Sequence, residues 1–164
     1  GMSWKDIKQK DWPKWERAPK DQSQALAWLK EQGTGIGTNA HATFADFNGT
    51  PWTLDQYTVK AHTNPDKAKY AKRGDYLHLV PEVMASPDEV WQGAFTQGRV
   101  RLYYIKYYDQ MPLVVRAEAD PNDMSPSYGL KITSWYDGTP RQAEGGIAIR
   151  ANLLTKKMPA SGQP

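Results

Sequence analysis

Apolar residues recur at helical spacing early in the chain. Alanine, leucine and tryptophan within residues 24–32 supply an apolar stripe for one side of a helix. Asp21 or Ser23 can cap its first turn, and Gly33 can end its last turn. Residues 24–32 are therefore predicted to form a helix.

Two shorter helices are predicted from the residues that bracket them. An early proline and a closing glycine indicate a helix over residues 64–74. The sequence Ser-Pro-Asp-Glu at 86–89 supplies an N-cap, a first-turn proline and acidic residues, and predicts a short helix over 88–93. Residues 77–84 fit either a helix or a turn.

Beyond residue 98 the pattern becomes that of strands. Residues 99–108 hold β-branched and aromatic residues in alternation, and residues 112–118 and 129–136 are predicted to be two further strands. Because the three segments follow one another closely, an antiparallel meander is expected.

A hairpin is indicated ahead of these strands. Asn48-Gly49, the strongest two-residue hairpin signal in the chain, lies between short extended pieces at 41–47 and 51–54. Residues 147–154 fit one more regular element.

The length of 164 residues is that of one domain. We expect an aromatic and basic arm over 1–20, a single α+β domain over 21–155 and a disordered tail over 156–164. No run approaches the roughly 18 apolar residues of a membrane span. Cysteine is absent, which excludes disulfides, thiolate metal sites and cysteine nucleophiles.

The charge of the chain permits an anionic partner without requiring one. The net charge is only +3, but basic residues concentrate in 56–76 and 99–116, which could form one basic face. The glycine-rich segment 33–39 lacks the Gly-Lys-Ser/Thr of a phosphate-binding loop and no strand precedes it, so a connector is favoured over a nucleotide site. The three histidines lie 21 and 16 residues apart, which is not a local metal-ligand spacing, and neither a metal nor a cofactor is expected.

Several short segments between about residues 57 and 136 resemble, in their order and spacing, the phage-associated nuclease-like domains of the Barnase–EndoU–Colicin–RelE superfamily. The segments are Val59–His62, Tyr76–Val83, Ser86–Trp91, Arg101–Lys106, Leu113–Val115 and Ile132–Trp135. Such domains occur at the C-termini of phage head-morphogenesis proteins and in bacterial toxins. The resemblance implies an α+β fold with N-terminal helices followed by a four-stranded antiparallel sheet, whose concave face would hold an RNA-cleaving site.

Metal-free RNA cleavage requires a base, an acid, cations at the phosphate and groups that position the substrate. His62 is the candidate general base or acid, because an imidazole titrates near neutrality and this residue is expected in a loop. His78, framed by two leucines, is expected to be a packing residue, and His41 lies outside the matched segments.

Arg101 and Lys106 are candidates for phosphate contact, Arg101 through paired hydrogen bonds and Lys106 as a point charge. They have opposite parity on one strand, so only a bulge would bring both to one face. Arg101 ranks first, because Thr133 could share its face and donate a hydrogen bond to a phosphate oxygen. Solvent-facing charges on an exposed sheet are the alternative for both cations.

Four more residues complete the candidate site. Ser134 could replace Thr133 as the hydroxyl donor, Tyr103 and Tyr104 could stack on the substrate or supply an acidic hydroxyl, and Lys60 could stabilise the transition state. Ordinary strand packing or a solvated surface would also account for each residue type.

The leading hypothesis is a metal-independent ribonuclease that cleaves RNA, with tRNA as one candidate substrate, by 2′-hydroxyl transesterification to a 2′,3′-cyclic phosphate. It would act in the cytoplasm of a phage-infected or prophage-carrying bacterium, or in that of a target cell, where an immunity protein could bind it. The alternative is a non-catalytic module that binds phage structural proteins, as the tryptophan-rich arm (Trp4, Trp12, Trp15) would allow. A nucleotide-binding protein that uses Gly33–Gly37 is the third hypothesis.

Overall fold

One mixed β-sheet carries the fold. The computed structural model describes residues 12–33, 40–93, 98–120, 122, 129–138 and 151–156. The strands of the sheet are β1 (His41–Ala45), β2 (Pro51–Asp55), β3 (Glu89–Gly93), β4 (Val100–Tyr107), β5 (Pro112–Ala119), β6 (Leu130–Asp137) and, at one edge, β7 (Ala151–Lys156). The helices are α1 (Gln22–Gln32), α2 (Gln56–His62), α3 (Arg73–Tyr76) and α4 (Val80–Ala85), with 3-10 turns at Ala68–Tyr70 and Leu77–Leu79.

The strand order is β1-β2-β6-β5-β4-β3-β7. The predicted meander of three strands is confirmed as β4, β5 and β6, and β3 adds a fourth antiparallel strand to it. The hairpin is confirmed as well, because β1 pairs with β2 across a turn in which Gly49 has a positive φ of 82°. The β2 and β6 strands pair in parallel, through Thr53 and Lys131. The expected α+β class is therefore correct, whereas a sheet of only four antiparallel strands is wrong.

The positions of the helices also differ from the expectation. Helices α2, α3 and α4 lie between strands rather than all ahead of them. The predicted helix over 88–93 is strand β3, because the Asp88 carboxylate accepts a hydrogen bond from the backbone N–H of Tyr107 at 2.7 Å and holds this segment against β4. The predicted helix over 64–74 is broken into a 3-10 turn and α3. Residues 65–69 are all exposed, so a continuous helix there would have no apolar face to bury.

Helix α1 is the predicted first helix, and its cap is Asp21 rather than Ser23. The Asp21 carboxylate accepts from the Gln24 N–H at 2.8 Å, while the Gln24 side chain accepts from the Asp21 N–H at 2.9 Å. This reciprocal capping box satisfies two donors that the helix itself cannot pair. No helix of the described residues is long and apolar enough to cross a membrane.

The main core lies between the helices and one face of the sheet. Its buried members include Leu29, Val59 and Met84 from the helices and Val115 and Trp135 from the strands. A smaller cluster on the opposite face comprises Ile105, Tyr107 and Val114 and receives Trp12, Trp91, Tyr103 and Tyr136. The sheet is therefore packed on both faces, the second one in part by the segment that precedes α1.

Several predicted segments are described by the structure only in part or not at all. Residues 1–11 of the arm and residues 157–164 of the expected tail lie outside the described residues, as do 34–39 of the glycine-rich segment. Of the element expected over 147–154, residues 151–154 belong to β7.

A buried carboxylate joins the hairpin to the main core. Asp46, only 8% exposed, accepts hydrogen bonds from Trp52 Nε1 at 3.0 Å and from the Tyr104 hydroxyl at 2.7 Å. It also accepts from the backbone N–H groups of Asn48 and Thr50, both at 2.9 Å. One side chain thus satisfies donors of the turn, of β2 and of β4.

Replacing Asp46 with alanine should lower the free energy of unfolding by about 2–4 kcal/mol, because two buried side-chain donors would lose their acceptor. Urea denaturation of Asp46→Ala beside Asp66→Ala, a change at an exposed aspartate, measures the difference. Equal midpoints for the two variants would contradict this role of Asp46.

Candidate active site

The candidate site lies where the sheet opens between β2 and β6. The two strands pair at Thr53 and Lys131, after which β2 turns into α2. Beyond that point, β6 still pairs with β5 on one edge, and the edge that has left β2 meets α2 and α3. Arg73 of α3 donates to the carbonyl oxygen of Trp135, and Trp135 Nε1 donates to the carbonyl oxygen of Arg73 at 2.7 Å. These reciprocal hydrogen bonds fix α3 to the edge of β6 that β2 has left.

His62 is the last residue of α2. The expectation that it lies in a loop is therefore wrong. Its Nδ1 lies 2.8 Å from the carbonyl oxygen of Thr58. Because a carbonyl only accepts, Nδ1 must carry the hydrogen, and the neutral imidazole has its lone pair at Nε2. The ring packs between Tyr70 and Trp135, with centroid distances of 5.0 and 5.4 Å. The imidazole is thus held in one orientation and one tautomer.

The surroundings of His62 disfavour its cation. Burial lowers its pKa from the ordinary value of 6.5, and the hydrogen bond to Thr58 opposes this effect. The positive charges of Arg73, Arg116 and Lys69 then lower the pKa further. An imidazole in this place is mainly neutral at pH 7.

Arg73 is sandwiched between two aromatic rings. Its guanidinium carbon lies 5.3 Å from the centroid of Tyr70 and 5.5 Å from that of Tyr136. The guanidinium also donates to Ser134 Oγ at 3.2 Å, in addition to its bond with the Trp135 carbonyl. A cation held by two rings and two acceptors needs little reorganisation when an anion binds.

Arg116 is placed beside the second hydroxyl by a bulge in β6. Its Nε donates to Thr133 Oγ1 at 3.1 Å. Arg116 pairs with Ser134 while Ala117 pairs with Ile132, so Thr133 is the extra residue. A bulge interrupts the alternation of side chains along a strand. As a result, the adjacent hydroxyls of Thr133 and Ser134 each contact an arginine of the same cluster.

The structure thus brings together three of the predicted site residues: His62, Thr133 and Ser134. It adds three that the sequence analysis did not select, Tyr70, Arg73 and Arg116. Arg73 and Arg116 fall within the two basic segments, but nothing in those segments distinguished them from their neighbours.

The other predicted residues lie elsewhere. Arg101 donates to Glu118 from two nitrogens at 3.0 and 2.8 Å, and Lys106 is buried with its Nζ 2.9 Å from the carbonyl oxygen of Ser86. Tyr104 is buried with its hydroxyl on Asp46, and Tyr103 packs at the smaller cluster on the opposite face of the sheet. Lys60 is exposed on α2. Alternation along β4 separates Arg101 from Lys106, as expected for a strand without a bulge.

A cleft opens beside the cluster of His62 and the two arginines. Its volume is about 400 Å³, and it is lined by Ala68, Lys69, Ala71, Lys72, Arg73, Tyr76, Tyr136 and Asp137. Arg73 therefore belongs both to the cluster and to the cleft. No group of three His, Cys, Asp or Glu side chains within the described part of the chain could hold a metal ion.

The charges around His62 can be tested by titration. In an NMR titration, the His62 midpoint should lie below 6.5 and should rise in Arg73→Gln and in Arg116→Gln, because each change removes a positive charge. Arg99→Gln, a change at an exposed arginine whose guanidinium lies 3.9 Å from the Glu118 carboxylate, should leave it unchanged. An unchanged His62 midpoint in both cluster variants would contradict this account.

The pKa shift also predicts how stability depends on pH. As pH falls through 6.5, the unfolded chain binds a proton at residue 62 that the folded imidazole resists, so the free energy of unfolding should decrease until the lower folded pKa is passed. His62→Gln should remove this contribution. Urea denaturation of both proteins between pH 5 and 8 measures it, and parallel pH profiles would show that it is absent.

Comparison with known protein families identifies a match over most of the chain. A family model described as "phage-Barnase-EndoU-ColicinE5/D-RelE like nuclease2" matches residues 27–156, most of the chain, and confirms the resemblance of the shorter segments. Neither the curated proteins nor the solved structures include a significant match. The matched region contains His62, Arg73, Arg116 and both hydroxyl residues of β6. The chain therefore belongs to this family of phage-associated, Barnase–EndoU–colicin–RelE-like nuclease domains.

Proposed function

We propose that this nuclease-like domain cleaves RNA without a metal ion, through attack of a 2′-hydroxyl group on the adjacent phosphate. The observation that carries the proposal is the environment of His62: a neutral imidazole, fixed by Thr58 with its lone pair at Nε2, beside two arginines that β6 hydroxyls hold in place. Membership of a nuclease family supports the general class of reaction.

His62 is the proposed general base. Its Nε2 would take the proton of the 2′-hydroxyl while the 2′-oxygen forms a bond to phosphorus. The bond from phosphorus to the 5′-oxygen then breaks, which leaves a 2′,3′-cyclic phosphate. A lowered pKa suits this role, because the base must be unprotonated at neutral pH before it can act.

Arg73 and Arg116 are the proposed phosphate ligands. Guanidinium groups bind phosphate oxygens with paired hydrogen bonds and neutralise the charge that develops on them. Contacts with neighbouring residues restrain both side chains: two aromatic rings flank Arg73, and Arg116 donates a hydrogen bond to Thr133. Such restraint places the cations before the substrate arrives.

Tyr70 is the proposed proton donor for the departing 5′-oxygen. The centroid of its ring lies 5.0 Å from that of the imidazole, the cations of Lys69 and Arg73 lie over the same ring, and a phenolic hydroxyl can donate a proton. Tyr70→Phe should slow cleavage and leave substrate binding nearly unchanged.

The metal-free mechanism is supported by the charges near His62. The charged groups that lower its pKa are Arg73, Arg116 and Lys69, all of them cations. Cations attract a phosphate directly and repel a divalent metal ion. RNA, including tRNA, is accordingly the proposed partner of this surface.

The non-catalytic alternative loses part of its support. Trp12 stacks on Tyr107 at 4.8 Å and Trp15 contacts Tyr76 edge to face at 5.2 Å. These two tryptophans are used within the domain, whereas the interaction hypothesis needs them exposed for a partner. Trp4 lies outside the described residues.

The nuclease proposal is tested by incubating the protein with total RNA and with tRNA in EDTA. We expect fragments that end in a cyclic phosphate, and a loss of rate of about 10²-fold or more in His62→Gln, the usual scale for lost acid–base catalysis. His41→Gln is the matched control. Intact RNA in every lane, or equal rates for the two variants, would overturn the proposal.

A second test separates the arginines. Arg73→Gln and Arg116→Gln should each lower the single-turnover rate by about 10²-fold or more, the scale for removing one group that stabilises a developing oxyanion. Arg101→Gln should change the rate by less than about threefold, since Glu118 already engages that guanidinium. An equal loss in Arg101→Gln would restore Arg101 as the phosphate ligand that the sequence suggested.

A further inference from the structure

We propose that the cleft beside Arg73 binds the base of a nucleotide next to the scissile phosphate, and that Asp137 selects bases with an exocyclic amino group over uracil. This inference rests on the proposed function, because it names a substrate preference of the same site. It assigns the cleft as a nucleotide subsite and Asp137 as a specificity-determining residue.

The size and walls of the cleft suit a nucleotide. Its volume of about 400 Å³ lies within the range of small-ligand sites. Tyr136 is half-buried and lines the cleft with the Arg73 guanidinium over its ring at 5.5 Å, so the accessible part of this arginine–tyrosine pair can offer a stacking surface to a base. Lys69 and Lys72 are exposed at the same cleft and would attract the phosphate backbone.

Arg73 connects the cleft to the chemistry. It lines the cleft and, at the same time, contacts Ser134 and lies close enough to His62 to affect its charge. A nucleotide whose nucleobase occupied the cleft would therefore have its phosphate near Arg73, beside His62, the proposed general base. The cleft is placed to hold a nucleotide that adjoins the bond to be cut.

Asp137 is the one acidic residue among the described residues that line the cleft. The other charged members, Lys69, Lys72 and Arg73, suit a phosphate, whereas a carboxylate repels it. The carboxylate of Asp137 also acts on Tyr76, whose pKa is raised first by burial and then by this negative charge. The negative charge of Asp137 therefore acts on the part of the cleft wall that Tyr76 forms.

A carboxylate discriminates among bases because it only accepts hydrogen bonds. Adenine and cytosine present amino groups at N6 and N4, and guanine presents one at N2. Uracil has carbonyl oxygens where adenine and cytosine carry donors, and these oxygens would meet Asp137 unfavourably. The expected result is slower cleavage at sites that place uridine in the cleft.

The preference is tested with short RNA substrates in which each base in turn occupies the two positions flanking one cleavable bond. We expect uridine at one of these positions to lower the rate about tenfold relative to adenosine or cytidine. Asp137→Asn, which adds a donor in the same shape, should reduce that difference to less than about threefold. Asp66→Asn, at an exposed aspartate outside the cleft, should preserve it.

A binding experiment makes the inference independent of turnover. Calorimetry with adenosine 3′-monophosphate and uridine 3′-monophosphate should show tighter binding of the adenosine compound. Tyr136→Leu should weaken that binding about tenfold through loss of stacking, whereas Tyr136→Phe should retain it. Thermal unfolding of both variants checks that the fold persists.

The outcomes separate this inference from the proposed function. RNA cleavage with no preference at either flanking position, or with a preference that Asp137→Asn leaves intact, would overturn the subsite and retain the nuclease. Absence of cleavage together with ring-dependent binding of adenosine 3′-monophosphate would retain the subsite and overturn the nuclease. Neither cleavage nor binding would overturn both.

Discussion

The reciprocal hydrogen bonds between Arg73 and Trp135 are the contact on which the candidate site depends. They attach a helix of only four residues to the part of β6 that pairs with β5 on one edge and has left β2 on the other. A helix this short has little stability of its own, so its position must come from tertiary contacts. These hydrogen bonds hold Arg73 near the imidazole of His62. Because Arg73 also lines the cleft, they position part of the cleft wall.

Residues ahead of α1 also hold α3 in place. Arg17 forms an ion pair with Asp75 at 2.6 Å, and the Ala18 N–H donates to the Asp75 carbonyl oxygen at 3.3 Å. Gly74 permits this approach, because an added Cβ would lie 2.1 Å from the carbonyl oxygen of Lys20. Residues that precede the matched family region thus hold the helix that carries a proposed phosphate ligand, which links the arm to the site without any direct role in the chemistry.

Electrostatics and packing act together around the imidazole. Gathering arginines beside a histidine is unfavourable for the histidine cation, and burial adds to that cost. The same arrangement keeps the imidazole neutral next to cations that can attract an anion. Favourable contacts of the arginines offset the repulsion among these positive charges. Arg73 stacks between Tyr70 and Tyr136, and each arginine donates a hydrogen bond to a hydroxyl of the β6 bulge.

The sequence by itself determined the elements whose signals are local: the capped helix α1, the Asn48-Gly49 hairpin, the meander of β4 to β6, and the family to which the chain belongs. It also pointed to His62, Thr133 and Ser134. Only the tertiary structure decided that α2 ends at His62, that Arg73 and Arg116 rather than Arg101 and Lys106 join it, and that 88–93 is a strand. The physical reason is that Arg73 and Ser134 lie 61 residues apart in sequence, and their contact depends on strand order and a bulge, which local spacing does not specify.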